Sequence, residues 1–266
     1  MLLKLNIYFI LIFFFLFTNL KSQNIGFYFN ASSPQKSLQN LGYKNGLGFS
    51  FEYLSNQLIK KESFSLRLSI GLDAQWHGHK NIDSIIFNTS NNDKGYSRFE
   101  NLCSGLFLGP KFTFNYGLWE PYFELNLALR QFITNQINTF YKAPIDYQKS
   151  TSTLILSNNT NHYGLGFGTL YHITGNILFD MRVSYSNGTK TDFVNLNSVS
   201  LAKNGVENFD YKIMKANTSD LLFYRIGFIF HLQKNKNDSP NTFFNSSPTN
   251  VKKPVPNPKI INKPKT

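Results

Sequence analysis

Residues 64–76 read Phe-Ser-Leu-Arg-Leu-Ser-Ile-Gly-Leu-Asp-Ala-Gln-Trp, an unbroken alternation of apolar with small or polar residues. Successive side chains of a β-strand point to opposite faces, so this segment predicts a strand with one wholly apolar face. Similar period-two segments lie near 24–30, 45–54, 101–116, 121–131, 161–172, 177–186 and 221–232. In the seventh, Ile177, Phe179, Met181, Val183 and Tyr185 oppose Leu178, Asp180, Arg182 and Ser184. No helical stripe of comparable length follows residue 22, so the chain reads as all-β with eight strands.

The connections carry a second pattern. Segments 31–44, 77–100, 132–160 and 187–220 are long, whereas 55–63, 117–120 and 173–176 are short. In a meander of antiparallel neighbours, alternate connections share a rim. Short turns such as Gly117-Leu118-Trp119-Glu120 and Ile173-Thr174-Gly175-Asn176 then gather at one end, and the polar stretches at the other. Outer-membrane barrels have this asymmetry, with short periplasmic turns and longer external loops. The long stretches either extend the strands beyond the membrane or, in 190–215, add a further hairpin.

Two features decide which face is inside. The polar face carries nine charges, Glu52, Arg67, Asp73, Lys111, Glu124, Arg130, Asp180, Arg182 and Arg225, four acids against five bases. It also carries ten of the 17 glycines: Gly26, Gly46, Gly48, Gly71, Gly105, Gly109, Gly164, Gly166, Gly168 and Gly227. Glycine weakens a strand and packs nothing, so a solvated face gains little from it, but the narrow interior of an eight-stranded barrel needs small residues. The opposite face carries no charge on any predicted strand, where Lys or Arg would cost about 2–4 kcal/mol at mid-bilayer. That face is expected to meet lipid. Closure follows, because an open sheet edge cannot be satisfied in hydrocarbon. Trp76, Tyr116, Tyr163 and Tyr185 stand near predicted strand ends, where interfacial aromatics belong. The expected fold is an eight-stranded antiparallel up-and-down transmembrane β-barrel over residues 23–232.

The nine inward charges are expected to pair into a network that plugs the barrel, since buried charges are tolerable only when paired. Arg182 or Arg225 with Asp180 or Glu52 are the expected partners, strands eight and one being neighbours on closure. Cys103 falls on the inward face as a packed thiol. His77-Gly78-His79 offers two nitrogens without a third ligand, so no metal site is expected. His77, His79 and His162, with Ser97 or Ser186, all fall at the end bearing the long connections. They match no catalytic motif, and neither catalysis nor a cofactor is expected.

The formal charge of +12 divides unevenly, +2 in residues 1–22, +4 in 23–232 and +6 in 233–266. Residues 1–22 have a basic start, an apolar run Ile7–Phe17 and a polar end, the order of a secretory signal peptide. The run is too short for a membrane span. Residues 233–266 hold six of the ten prolines and seven lysines against one Asp, an extended disordered tail on the periplasmic side. The tail is expected to meet an anionic partner, the cell wall or a periplasmic protein. Nucleic acid is not an expected partner of an exported chain with a nearly balanced folded part.

These residues together resemble the small eight-stranded outer-membrane barrels of Gram-negative bacteria, such as the OmpA transmembrane domain and OmpX, over about residues 24–232. The last strand, Arg225-Ile226-Gly227-Phe228-Ile229-Phe230-His231-Leu232, resembles that family's C-terminal assembly signal through Arg225, Gly227, Phe230 and Leu232. The resemblance implies recognition by the barrel-assembly machinery and residence in the outer membrane. Here 34 residues follow the signal, whereas many members end there. The opening Ile25-Gly26-Phe27-Tyr28-Phe29-Asn30 and the Gly-rich second strand also resemble PorT-like outer-membrane barrels. The expected function is a non-enzymatic scaffold or surface-binding protein. The alternatives are a PorT-like accessory of an envelope secretion system and, third, an outer-membrane lipid-modifying enzyme.

Overall fold

The computed structural model describes residues 24–88, 93–142, 147–202 and 208–232. The expected signal peptide and the Lys/Pro-rich tail lie outside them. The eight main strands are β1 (Asn24–Pro34), β2 (Gly46–Leu54), β3 (Phe64–Asn88), β4 (Asp93–Phe114), β5 (Trp119–Lys142), β6 (Tyr147–Thr174), β7 (Ile177–Gly188) and β8 (Leu221–His231). Each pairs antiparallel with its neighbour in sequence, and β8 pairs with β1 to close the ring. The topology is up-and-down. Phe27 shows the closure, lying opposite Phe51 of β2 on one side and Phe228 of β8 on the other.

The outer face presents Phe27, Phe49, Leu127, Leu165, Phe167 and Ile226, all more than half exposed. Aromatic rings pack against each other across this surface, Phe112 on Phe123 at 4.5 Å and Phe27 on Phe51 at 5.3 Å between centroids. Leaving such side chains in water forfeits about 1.5–3 kcal/mol each, and hydrocarbon removes that cost. The outer band is therefore a lipid-facing surface. Among the described residues no helix is long and apolar enough to cross a membrane; the strands do so.

Glycines face large inward side chains on neighbouring strands. A Cβ on Gly168 would fall 2.5 Å from the Tyr122 ring, and one on Gly166 2.8 Å from Glu124. Small and large residues thus alternate around the lumen and fill it.

Strand lengths are unequal. β1, β2, β7 and β8 have 11, 9, 12 and 11 residues, whereas β3 to β6 have 25, 22, 24 and 28. The stretches 77–100 and 132–160, expected as connections, are mostly strand. Bulges hide this in the sequence: the register shifts between Trp76 and His79, between Ile82 and Ile85, and between Thr134 and Asn135. Each shift breaks the period of two that marks a strand. Trp76 and Tyr163 accordingly stand within strands rather than at their ends, whereas Tyr116 lies just past β4, bridged to Trp119.

The connection from β1 to β2 holds a short helix, α1 (Lys36–Asn40). The one from β7 to β8 holds a hairpin of Thr191–Val194 with Ile213–Ala216, the further hairpin that the sequence left open, and a smaller pairing of Ser200–Leu201 with Phe209–Asp210.

Candidate functional site

All nine expected interior charges point into the lumen, each at most 5% exposed, and they form three groups. In the middle, the Lys111 ammonium lies 3.0 Å from Glu52 and 3.7 Å from both Glu124 and Asp180. Arg182 joins the same carboxylates, 2.8 Å from Glu124 and in contact with Glu52. Tyr28 and Tyr122 donate to Asp180 at 3.0 and 2.6 Å. Towards the extended end, Asp73 accepts from both Arg130 at 2.6 Å and Arg225 at 2.9 Å. Arg225 therefore goes to Asp73, not to Asp180 or Glu52 as expected. Their guanidiniums stack on rings, Arg130 over Phe223 at 4.4 Å and Arg225 over Phe107 at 4.6 Å.

At the short-turn rim Arg67 meets Glu120 at 3.4 Å, and His172 lies 2.9 Å from the same carboxylate. The sequence reading placed Glu120 in a turn; it is the second residue of β5 and points inward. Its alternation with Tyr122 and Glu124 was the available signal. With Glu120 counted, the acids of the network equal the bases.

Apolar clusters bracket this network. Tyr28, Leu54, Tyr122, Leu170, Leu178 and Ile229 fill the end towards the short turns. At the other end Leu38, Tyr43, Cys103, Phe132, Phe193, Ala216, Leu221 and Phe223 pack α1 and the hairpin down into the mouth. A cavity of about 10 Å³ between Phe107, Arg130, Phe223 and Arg225 has room for one water.

Above the mouth, β3 to β6 continue as a one-sided wall. Its inner face packs on the hairpin through Phe99, Val194, Leu196 and Val199, and Asn101 donates to the Val194 carbonyl at 3.0 Å. The mouth is latched by Asp220, which precedes β8. Its carboxylate takes Lys36 at 2.8 Å, Tyr185 Oη at 2.6 Å and the Gly188 N–H at 3.2 Å. Burial pushes this carboxyl up, but the Lys36, Tyr185 and Gly188 donors outweigh it and hold it below its usual value. Lys36 itself has φ +46°, a left-handed conformation unusual outside glycine.

The histidines separate. Gly78, at φ +94°, carries the bulge that leaves His77 buried inside and His79 exposed outside. His77 is held by the Lys44 carbonyl at 2.8 Å. Among the described residues no three His, Cys, Asp or Glu side chains gather as a metal site. His162 meets Ser186 at 3.1 Å, Thr160 at 2.9 Å and Ser219 at 3.2 Å. This cluster faces the barrel interior, with His162 3% exposed, whereas a lipid-modifying centre must open to the outer rim. Ser97 is elsewhere, donating to Asn138 at 2.6 Å. In the last strand Arg225 and Gly227 point inward, Phe230 faces outward, and Leu232 follows the strand end.

The ring of eight paired strands, apolar outside and charged within, decides the architecture. The fold is an outer-membrane-type β-barrel. No family model and no curated protein matches the chain. Solved structures similar to it include the attachment invasion locus protein Ail of Yersinia pestis, 11% identical over 79% of this chain and 96% of that one, TM-score 0.38. Neisserial surface protein A is 10% identical over 79% and 95%, TM-score 0.38. The outer membrane protease OmpT from Escherichia coli is 8% identical over 80% and 97%, TM-score 0.37.

Proposed function

We propose that this barrel is a non-conducting scaffold of the outer membrane that carries a rigid binding surface outside the cell. One observation supports this above others. The inward charges are paired between two apolar clusters, one towards each end of the lumen, while four adjacent strands extend the wall past the mouth. A pore needs a hydrated path, and a filled interior leaves none. A binding surface needs a rigid support outside the membrane, and the β3–β6 wall supplies one. The short turns lie on the periplasmic side, where an even number of strands also brings both chain ends. The last strand is the segment for the barrel-assembly machinery, and the basic tail meets an anionic periplasmic partner. Planar-bilayer recording of the purified protein tests the reading: a quiet membrane is expected, and stable, large single-channel currents contradict it.

A further inference from the structure

The inner face of the wall, the side that Phe99 occupies, stays open where β5 and β6 form it. Residues directly opposite each other in an antiparallel pair share a face. Phe99 lies opposite Gln136, and Gln136 opposite Thr153. One row further from the mouth, Ser97 lies opposite Asn138, and Asn138 opposite Thr151. Ser97 and Gln136 both donate to Asn138 Oδ1, at 2.6 and 2.8 Å, as side chains on one face can. Three strands at the usual spacing make each row about 10 Å wide.

Val194, Leu196 and Val199 cover Phe99, but the β6 end of each row is bare. Thr151 and Thr153 are exposed, and Gln136 and Asn138 are partly so. Tyr211 borders this open part. Its ring centroid lies 6.4 Å from that of Phe99, and the residue is 37% exposed. Both rows are free of charge. Arg98 and Glu100 have the other parity and pair with each other at 3.3 Å, while Asp210 and Lys212 flank Tyr211 with opposite signs.

We propose that this face binds a neutral pyranose chain of a glycan outside the cell, with Tyr211 as the stacking platform. A polyanion would find no cation in either row, and an apolar partner no apolar patch among the exposed threonines. Amides and hydroxyls both donate and accept, as sugar hydroxyls require. The electron-rich face of a tyrosine ring suits the C–H face of a pyranose. Gln136, Asn138, Thr151 and Thr153 therefore supply hydrogen bonds that fix orientation, and Tyr211 supplies the contact area. The inference deepens the proposed function by naming a ligand class, and it rests on the outward placement of the wall.

The test titrates the full-length protein in lipid vesicles with maltotetraose, cellotetraose, chitotetraose and a sulfated tetrasaccharide, followed by saturation-transfer NMR. At least one neutral sugar is expected to bind, and the sulfated one is not. Tyr211→Ala is expected to weaken that binding about three- to tenfold, and Tyr211→Phe to retain it. Tyr116→Ala, an exposed tyrosine past the opposite end of the barrel, is expected to change nothing. No binding of any neutral sugar, binding of the sulfated one alone, or a Kd indifferent to Tyr211→Ala overturns the proposal. A membrane-impermeant maleimide on intact cells carrying Thr151→Cys separates the two readings, since Cys103 is 1% exposed and stays out of the reaction. Labelling without sugar binding rejects the sugar site alone, whereas no labelling rejects the outward wall on which it rests.

Discussion

Arg182 and Arg225 lie directly opposite each other on β7 and β8, yet their guanidiniums serve different carboxylates. Arg182 turns to Glu52 and Glu124, Arg225 to Asp73. The same holds for Arg67 and Lys111, partners on β3 and β4, which go to Glu120 and to Glu52. Like charges opposite each other destabilise a sheet. The barrel tolerates both pairs because carboxylates lie above and below them, and the interior is a stack of charge layers rather than one cluster.

Asp73 is the most exposed point of that arrangement, in energetic terms, because two buried guanidiniums depend on it. Asp73→Asn leaves both without a counter-charge, and a loss of about 3–5 kcal/mol is expected. The urea midpoint of the protein refolded in detergent reads it. An unchanged midpoint would mean that the two arginines are not held by this carboxylate.

Steric filling of the lumen gives a paired substitution. Gly168→Ala drives a methyl into the Tyr122 ring and is expected to cost about 1–3 kcal/mol. Gly175→Ala, in a turn with open space around it, is expected to leave the unfolding midpoint unchanged. Equal behaviour of the two would reject the packing account.

The outer band predicts a depth dependence. Leu127, 60% exposed on β5, faces lipid, so Leu127→Arg is expected to cost about 2–4 kcal/mol in vesicles. Asn81→Arg, on an exposed position of the wall, is expected to stay within about 0.5 kcal/mol. Unfolding from vesicles compares them, and a reversed order would contradict the placement of the band.

The Asp220 latch has a pH window. Its carboxyl is held below the usual value in the folded chain, so the latch contributes stability above the unfolded carboxyl value, about 4. That contribution falls as pH drops through the lower folded value. Faster amide exchange in α1, corrected for intrinsic rates, is expected below about pH 4, and Asp220→Asn should remove the pH dependence. An α1 that opens at the same acid pH in both proteins would assign the change elsewhere.

The lipid-spanning part of the fold was legible because every second residue of β1 to β8 answers to one solvent. Outside the membrane both wall faces are polar or capped, and the bulges at Gly78, Ile82 and Thr134 reverse the alternation, so 77–100 and 132–160 looked like loops. Within the site, the inward charges were readable from parity alone, but their partners were not. Arg225 prefers Asp73 because side-chain length and layer height, which parity does not encode, decide the pairing. Glu120 was missed because a short turn and the first residues of a strand look alike.

The claim that the apolar face meets lipid rests most directly on the chain's two tryptophans, Trp76 and Trp119. They stand near opposite ends of the outer band, 47% and 48% exposed. Fluorescence in vesicles of lipids brominated near the headgroup measures their surroundings. The account predicts strong quenching of both, shown by single-tryptophan proteins with the other changed to Phe. Emission untouched by the brominated lipid and quenched instead by aqueous iodide would contradict it.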